Sequence, residues 1–280
     1  MNRIRTSILL LVVAVGPGWA LGGVASATRS AATRPTTSKA TFPDETSTGP
    51  SRAIDLRKSE GIKVVEANAV VEGLEVSGRI LVTAPNVIIR NCRITASAGE
   101  VAVKIAPNII GTVIEDCEIT GHESSNGVSG SNYVARRLHI HHMGSDAFRV
   151  MRNVTIERCY VHDVGILPKS HGDIVQMYPP DGGNITILEN HFDARGGNAA
   201  LFQVQGGWRV EGNYLNGGNY TVQCEGAAEN KFLGNTFGPD AKYGPIRVGR
   251  GEPQALLWDK NVDAQGREVS RPAAKHPKKE

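Results

Sequence analysis

Apolar and polar positions along the chain follow a repeat that can be aligned over most of its length. One apolar column contains Val76, Ile94, Ile119, Ile140, Val161, Phe192, Leu215 and Phe237, and a second, five residues earlier in each repeat, contains Val71, Ile89, Ile114, Ala135, Ile156, Ile187, Val210 and Phe232. Short stretches such as Val154-Thr155-Ile156-Glu157 alternate apolar and polar residues, which is typical of a strand with one buried face. Because a unit of this length cannot bury its apolar face alone, the repeat predicts coils stacked on one another.

The stacked coils predict an all-β fold, a single-stranded right-handed parallel β-helix of about eight coils over residues 51–263. Successive coils of such a helix lie about 4.8 Å apart, which is the distance between paired strands. The open ends of a strand stack need to be covered. We expect residues 51–63 to form a short N-terminal cap and the run from Trp258 to Val269 to cover the other end.

A third column, two residues before the first, indicates how the turns are stabilised. It contains Leu74, Cys92, Cys117, Leu138, Cys159, Asn190, Asn213 and Asn235. Stacked asparagines can hydrogen-bond to one another and to turn carbonyls, so we expect the last three to form a ladder that resembles the asparagine ladder of pectate-lyase-type β-helices. Cys92 and Cys117 lie within disulfide range, but their Cβ directions are parallel. We favour four buried thiols, with a Cys92–Cys117 bridge as the alternative.

The first 27 residues have the layout of an export signal. Positive residues, a short apolar run and a small-residue cleavage site follow one another at Arg3 and Arg5, Ile8 to Val15, and Ala25-Ser26-Ala27. The apolar run is too short for an anchor, since a membrane-spanning helix needs about 20 apolar residues. We therefore expect a secreted, extracellular protein with no membrane attachment after cleavage of the signal peptide.

The two ends of the mature chain differ from the repeat in composition. Residues 28–50 are rich in Ser, Thr and Pro and are predicted to be a linker, whereas residues 264–280 are predicted to be a disordered basic tail. Signal cleavage removes two arginines and no acidic residue, so 31 basic and 28 acidic residues become 29 and 28, a net charge of +1. This balance argues against nucleic acid as a partner. We expect a monomer.

An outward-facing column predicts a binding surface along one wall. It contains Lys104, Ser129, Arg149, Gln176, Gln203, Gln223 and Arg247, and the column two residues later includes Tyr178, Gln205 and Glu225. Long planar hydrogen-bonding groups and aromatic rings suit sugar hydroxyls and carboxylates. We therefore predict that this face binds a polysaccharide, with the alternative that stacked glutamines only hydrogen-bond to each other.

Asn126, Asp146 and Asp173 form another column, three residues before the outward one. Two carboxylates about 5 Å apart repel each other, so at least one pKa should rise unless a cation lies between them. Three interpretations stay open. The aspartates are the acid and base of a glycoside hydrolase, all three residues form a calcium site, or they only cap turns.

Several segments resemble secreted actinobacterial β-helix proteins of the pectate-lyase-like superfamily. They are Thr41-Phe42-Pro43-Asp44 with Thr46, Thr48, Gly49 and Pro50, the coil cores, the run Ser170-His171-Gly172-Asp173-Ile174-Val175-Gln176, and Leu257-Trp258. Where these relatives have Ser-His-Asn-Asp-Gly-Ile-Gln, this chain matches at His171, Asp173 and Gln176. The resemblance covers about residues 41–262 and implies fold, export and polysaccharide handling. The superfamily includes lyases, hydrolases, epimerases and non-catalytic adhesion proteins, so the resemblance leaves the reaction open.

The leading hypothesis is a polysaccharide lyase that cleaves a uronate-containing polymer by β-elimination. Arg149 and Arg247 would pair with carboxylates, and His171 or Lys169, in a loop lengthened by about ten residues, would supply the base. Tyr178 would protonate the leaving oxygen, and Asp146 and Asp173 would hold calcium or orient His171. The rival hypotheses are a glycoside hydrolase that uses the two aspartates and a non-catalytic polysaccharide-binding surface protein.

Overall fold

The computed structural model describes residues 41–165, 170–178, 183–226, 229–249 and 256–272. The expected signal peptide, residues 28–40 of the expected linker, Lys169 and the last eight residues of the expected tail lie outside the described residues. Within the described ranges, no helix is long and apolar enough to cross a membrane.

Regular secondary structure in the described ranges consists of short β-strands. They are β1 (Arg57–Val64), β2 (Val70–Glu72), β3 (Leu74–Val82), β4 (Ile88–Arg90), β5 (Arg93–Thr95), β6 (Val101–Ile105), β7 (Thr112–Glu115), β8 (Glu118–Thr120), β9 (Asn126–Gly130), β10 (Tyr133–Arg136), β11 (His139–Ile140), β12 (Phe148–Val150), β13 (Arg152–Glu157), β14 (Tyr160–Val161), β15 (Asp173–Met177), β16 (Gly183–Leu188), β17 (His191–Ala194), β18 (Ala199–Val204), β19 (Trp208–Glu211), β20 (Tyr214–Gly217), β21 (Val222–Cys224), β22 (Lys231–Leu233), β23 (Thr236–Phe237), β24 (Ile246–Val248), β25 (Leu257–Asp259) and β26 (Val262–Asp263).

Three walls of parallel strands surround one apolar core. The wall that carries the predicted binding face, which we call the groove wall, contains β6, β9, β12, β15, β18, β21 and β24. The second wall contains β2, β4, β7, β10, β13, β16, β19, β22 and β25. The third wall contains β5, β8, β11, β14, β17, β20, β23 and β26. The long strands β1 and β3 run through both the third wall and the groove wall, which joins these two walls into one sheet.

Strand register confirms both apolar columns. Each step of the first column, from Val76 to Phe237, is a pair of parallel neighbours. The same holds for the second column, from Val71 to Phe232. All sixteen side chains are buried, so each coil covers the apolar face of its neighbour. The predicted all-β parallel β-helix is confirmed.

The asparagine ladder between the second and third walls is also confirmed, and it is one rung longer than predicted. We call Asn190, Asn213, Asn235 and Asn261 the core ladder. Nδ2 of each of the first three donates to Oδ1 of the next at 2.9 Å. The Nδ2 atoms also donate to second-wall carbonyls, as from Asn213 to Ile187 at 2.9 Å. Because all four asparagines are buried, these bonds satisfy groups that water cannot reach.

Cysteines continue the same column towards the N-terminus. Cys92, Cys117, Cys159 and also Cys224 are buried free thiols, which confirms the prediction of four thiols over the Cys92–Cys117 bridge. The thiol of Cys159 donates to the carbonyl of Glu157 at 3.4 Å, and burial raises its pKa to about 12. The cysteines therefore act as small apolar side chains that fill the turn.

Both ends of the stack are covered as expected. Strand β1 adds a parallel strand to β3 and, except for its last residue, Val64, lies in the segment predicted to cap the first coil. At the other end, the ring of Trp258 lies 5.5 Å from Phe232 and 5.6 Å from Phe237. Its indole N–H donates to the carbonyl of Val269 at 2.7 Å.

Residues 41–50, which we call the strap, lie against the outside of the third wall. The ring of Phe42 lies 5.4 Å from that of Tyr214, and Nδ1 of His191 donates to the carbonyl of Pro43 at 2.9 Å. Further along the strap, the N–H of Gly49 donates to the carbonyl of Arg137 at 2.9 Å. The strap therefore connects coils that are distant in the chain.

Candidate functional site

The groove wall carries most of the predicted outward column. Lys104 pairs with Ser129, Ser129 with Arg149, and Arg149 with Gln176. Lys104 is exposed, and Arg149 and Gln176 are partly exposed. The predicted neighbourhood of these side chains on one outer surface is therefore correct, while their role in binding stays a prediction.

The predicted position of Gln203 in this column is wrong by one residue. Gln176 pairs with Phe202, and the two residues between Leu201 and Val204 lie opposite the single residue Gln223. This extra residue is a β-bulge, and Gln203 takes the left-handed conformation, φ 55°, which occurs in one class of bulge. Register is regained after the bulge, since Val204 pairs with Cys224.

Beyond the bulge, some of the predicted binding residues are accessible to a ligand and one is buried. Arg247 pairs with Gln223 in register, and its Nη2 lies 3.2 Å from Oε1 of Glu225. Gln205 and Glu225 are partly exposed. Gln223, in contrast, is only 6% exposed, and its amide donates to Oδ1 of Asn198 at 3.3 Å. Gln223 is therefore covered by its neighbours and bonded to Asn198, which leaves its amide little access to a ligand.

Asn126, Asp146 and Asp173 stack on successive coils, as predicted. The backbone N–H of Asp146 donates to Oδ1 of Asn126 at 3.2 Å, and that of Asp173 donates to Oδ1 of Asp146 at 3.0 Å. The stack continues through two residues outside the predicted column, Asn198 and Asn219. Nδ2 of Asn198 donates to Oδ1 of Asp173 at 2.9 Å, and Nδ2 of Asn219 donates to Oδ1 of Asn198 at 3.0 Å. We call these five residues the groove ladder.

The two aspartates lie behind the groove surface. Asp146 and Asp173 are each 1% exposed. Burial raises the pKa of Asp146, although its contact with Arg149 opposes the rise. Burial and the neighbouring carboxylate of Asp146 raise the pKa of Asp173 to about 8. Register places Ala199 opposite Asp173, where the column alignment had implied Ala200.

Arg149 connects the buried ladder to the groove surface. Its Nε donates to Oδ2 of Asp146 at 2.7 Å, and its Nη2 lies 3.4 Å from the hydroxyl of Ser145. The guanidinium carbon lies 5.4 Å from the ring centre of Tyr178, and Tyr178 is 43% exposed. A cation over a ring at this distance is attracted to it. Arg149 and Tyr178 therefore form a fixed cationic and aromatic surface.

His171 is exposed at the start of the same coil. The glycine that follows it replaces the asparagine of the resembling proteins, and the structure gives the reason. A Cβ on Gly172 would lie 2.9 Å from the carbonyl oxygen of Ser145 and closer still to the backbone of Gly165. The turn therefore has no space for a side chain at this position.

In the described part of the chain, no group of three or more His, Cys, Asp or Glu residues is arranged to hold a metal ion. The calcium site at Asn126, Asp146 and Asp173 stays a prediction.

Histidines gather on the third wall, where the rings of His141 and His162 stack 5.4 Å apart and Nε2 of His139 lies 3.0 Å from Nε2 of His162. Burial and these neighbours lower the pKa of His139 to about 4.

Comparison with known proteins gives one family match and one structural likeness. The family model described as "Right handed beta helix region" matches residues 80–237. Among solved structures, the catalytic domain of a GH87 alpha-1,3-glucanase in complex with nigerose is similar, with 12% sequence identity and a TM-score of 0.37. The alignment covers 72% of this chain and 51% of that one, so the chain spans about half of the glucanase domain. No curated protein matches the chain.

Proposed function

Because the chain belongs to the family of right-handed beta helix proteins, we propose that it is a secreted protein that binds an extracellular uronate-containing polysaccharide along its groove wall and cleaves it by β-elimination. One observation carries the proposal. Arg149 lies on the groove wall beside Gln176, with its guanidinium near the ring of Tyr178 and held by the buried carboxylate of Asp146. A fixed guanidinium beside an aromatic ring suits a sugar that carries a carboxylate.

The spacing of the groove wall supports binding of a polymer. Lys104, Arg149 and Gln176 follow one another on the outer face at strand spacing, with Ser129 between the first two. Paired strands lie about 4.8 Å apart, so each coil can offer a hydrogen-bonding group to an extended chain. Beyond the bulge, Gln205 and Arg247 continue this surface.

β-Elimination requires three groups at the scissile linkage. A cation neutralises the uronate carboxylate, a base removes the proton from the carbon next to it, and an acid protonates the leaving glycosidic oxygen. The electron pair of the broken C–H bond becomes the C=C bond as the C–O bond breaks. We assign these roles to Arg149, His171 and Tyr178, with Lys169 as the alternative base outside the described residues.

The burial of the aspartates favours this reaction over glycoside hydrolysis. In a hydrolase, one carboxyl protonates the glycosidic oxygen and the other approaches the sugar ring or its attacking water. Asp146 and Asp173 are each 1% exposed, so a polysaccharide on the groove surface would not contact them. Non-catalytic binding is the second candidate, and it is favoured by the ion pairs that Arg149 and Arg247 already form with Asp146 and Glu225.

The product of the reaction distinguishes these functions. The secreted protein is incubated with pectate, alginate, glucuronan and neutral glucans, with calcium and with a chelator. Products that absorb ultraviolet light through an unsaturated uronate support the lyase. New reducing ends without this absorbance would instead identify a hydrolase, and retention on the polymer without cleavage would identify a binding protein.

Two variants then test the assigned roles. Arg149→Ala should weaken binding of the acidic polymer by about 10- to 100-fold, because a charged hydrogen bond contributes ~1.5–3 kcal/mol. His171→Ala should keep binding and lower turnover by about 10²–10⁴-fold, the contribution of a positioned base. Arg158→Ala is the matched control, since Arg158 is an exposed arginine paired with Glu189 in the turn after β13, away from the groove wall.

A further inference from the structure

The groove ladder contains two acids among three asparagines, and these acids have unequal surroundings. Both oxygens of Asp146 accept hydrogen bonds, Oδ1 from the N–H of Asp173 and Oδ2 from Nε of Arg149. Asp173 accepts from the neutral amide of Asn198. The two acids are therefore rungs of one ladder, but among contacts between described residues only that of Asp146 is with a cation.

The contact between Asp146 and Arg149 crosses the boundary between the interior and the groove. Asp146 is almost completely buried, whereas the guanidinium of Arg149 is partly exposed above the ring of Tyr178. An arginine side chain has four rotatable bonds, and fixing one in place costs conformational entropy. A buried carboxylate fixed by backbone hydrogen bonds is a rigid anchor for such a side chain.

Resting on the proposed function, in which Arg149 contacts the uronate carboxylate, we infer that Asp146 is a positioning residue: it is the ionised rung of the groove ladder and fixes the guanidinium of Arg149 on the groove wall. Asp173 is the neutral rung beside it. Asp173 therefore acts as an asparagine does, in support of the turn, and takes no part in holding Arg149.

The charges that face the pair agree with this division. The charged groups that influence the pKa of Asp173 are Asp146, which raises it, and Arg149, which lowers it; for Asp146 the charged partner is Arg149. Burial and the Asp146 carboxylate raise the pKa of Asp173 to about 8, so Asp173 is mostly protonated at neutral pH.

Two isosteric variants distinguish the role of Asp146 from that of Asp173. Asp146→Asn keeps Oδ1 as the acceptor for the N–H of Asp173, but it removes the charge and places the Nδ2 donor of the amide against the Nε–H donor of Arg149. Asp173→Asn replaces a protonated acid with an amide of the same shape and is the matched control. Both variants retain a side chain that is already present elsewhere in the groove ladder.

The first measurement needs no ligand. The nitrogen–proton NMR signal of the Arg149 Nε–H group, assigned by its loss in Arg149→Lys, is recorded in the full chain. We expect the signal to be slow in solvent exchange in the wild type and in Asp173→Asn, and to become fast or disappear in Asp146→Asn. Protection that survives in Asp146→Asn, or that is lost equally in both variants, would overturn the inference.

If Asp146→Asn does not fold, the wild type supplies the same test. Lowering the pH protonates Asp146 and should release the Arg149 Nε–H signal before the backbone signals of the groove wall change. An Nε–H signal that stays protected until the protein unfolds counts against the positioning role.

The second measurement uses trigalacturonate as the probe. Asp146→Asn should lower affinity about tenfold or more, towards that of Arg149→Ala, since a charged hydrogen bond contributes ~1.5–3 kcal/mol. Asp173→Asn should stay within about twofold of the wild type, since it changes no contact of Arg149. Equal losses in the two variants contradict the inference. If the wild type binds no uronate, the proposed function fails, and the NMR measurement alone decides the positioning role.

The effect of calcium on stability distinguishes a positioning role of Asp146 from a cation site formed by Asp146 and Asp173. The melting temperature of the wild type is measured with calcium and with a chelator. A rise with calcium that is abolished by both Asp146→Asn and Asp173→Asn would identify the pair as a cation site and overturn the inference. No effect of calcium on the wild type is the expected result.

Discussion

The core ladder and the groove ladder both have one rung per coil, but their hydrogen bonds run in opposite directions along the stack. A core rung donates to the rung that follows it in the chain, whereas a groove rung accepts from the rung that follows it. In the core ladder, Nδ2 of Asn213 donates both to Asn235 and to a second-wall carbonyl, so each rung must be a donor and an acceptor. In the groove ladder, the two oxygens of Asp146 only accept, from Asp173 N–H and Arg149 Nε. A parallel β-helix therefore tolerates an acid in a buried stack where every neighbour donates. The core ladder therefore only stabilises the fold, whereas the groove ladder also holds the guanidinium of Arg149 at the surface through Asp146.

The largest expected effect comes from placing an acid in the core ladder. In Asn213→Asp, one carboxylate oxygen would face the carbonyl of Ile187 and Oδ1 of Asn235, both acceptors. A buried charge without a partner costs ~3–5 kcal/mol of unfolding free energy. Because its pKa would rise on folding, the loss should be greatest at neutral pH and decrease on acidification, as measured by denaturant unfolding at several pH values. Equal destabilisation at pH 4 and pH 7 would show that the charge is not the cause.

Asn213→Leu breaks the core ladder without adding a charge. It leaves the N–H and Nδ2 of Asn190 and the carbonyl of Ile187 without the partner they have in the wild type. An unsatisfied buried group costs ~1–3 kcal/mol, so we expect a loss of about that size or somewhat more. Lys231→Leu, at an exposed position of strand β22 in the second wall, is the control. Unchanged unfolding in Asn213→Leu would contradict a buried ladder.

The pH dependence of the free energy of unfolding in Asp173→Asn tests whether the second acid of the groove ladder is neutral. The pKa of Asp173 is raised on folding from 3.8 to about 8, so the folded state binds a proton that the unfolded state has released. The stability of the wild type should then fall as pH rises through this interval. Asp173→Asn should lose this fall, differ from the wild type by less than about 1 kcal/mol near pH 4, and be more stable at pH 9. Parallel stability curves would mean that Asp173 is ionised in the folded protein.

The smallest expected effect concerns the four cysteines, three of which continue the core ladder column. The four cysteines are free and buried, so adding a reductant should leave the melting temperature unchanged. A native disulfide would contribute ~2–5 kcal/mol, which a thermal scan would detect as a clear decrease on reduction. A decrease of that kind would show that Cys92 and Cys117 are bridged after all.

The sequence predicted the fold well because its information is periodic. Side chains of the two apolar columns repeat once per coil, and the asparagines of the core ladder occupy a fixed place relative to them. Asn261 was not predicted because the first apolar column does not continue into its coil, where polar Asp263 is the strand partner of Phe237. A period that continues through insertions can be read only where several columns confirm each other.

The groove was less predictable for two physical reasons. The extra residue in β18 has no sequence mark, because both Phe202 and Gln203 fit an outward position, and only strand pairing decides between them. The burial of Asp146 and Asp173 could have been inferred, since they lie three residues before outward positions and successive side chains of a strand alternate between faces. Asn198 and Asn219 also carried a signal, a Gly-Asn pair that recurs 21 residues apart just before each strand.

The bulge at Phe202 and Gln203 affects the shape of the proposed binding surface as well as its register. A β-bulge bends its strand and increases the local twist, so we expect the groove wall to form two facets that meet at β18. A stiff, ribbon-like glycan would lie flat on one facet only, whereas a helical or kinked glycan would follow both. We therefore expect the protein to select among polymers by the conformation of their backbone, before any side chain distinguishes one sugar from another.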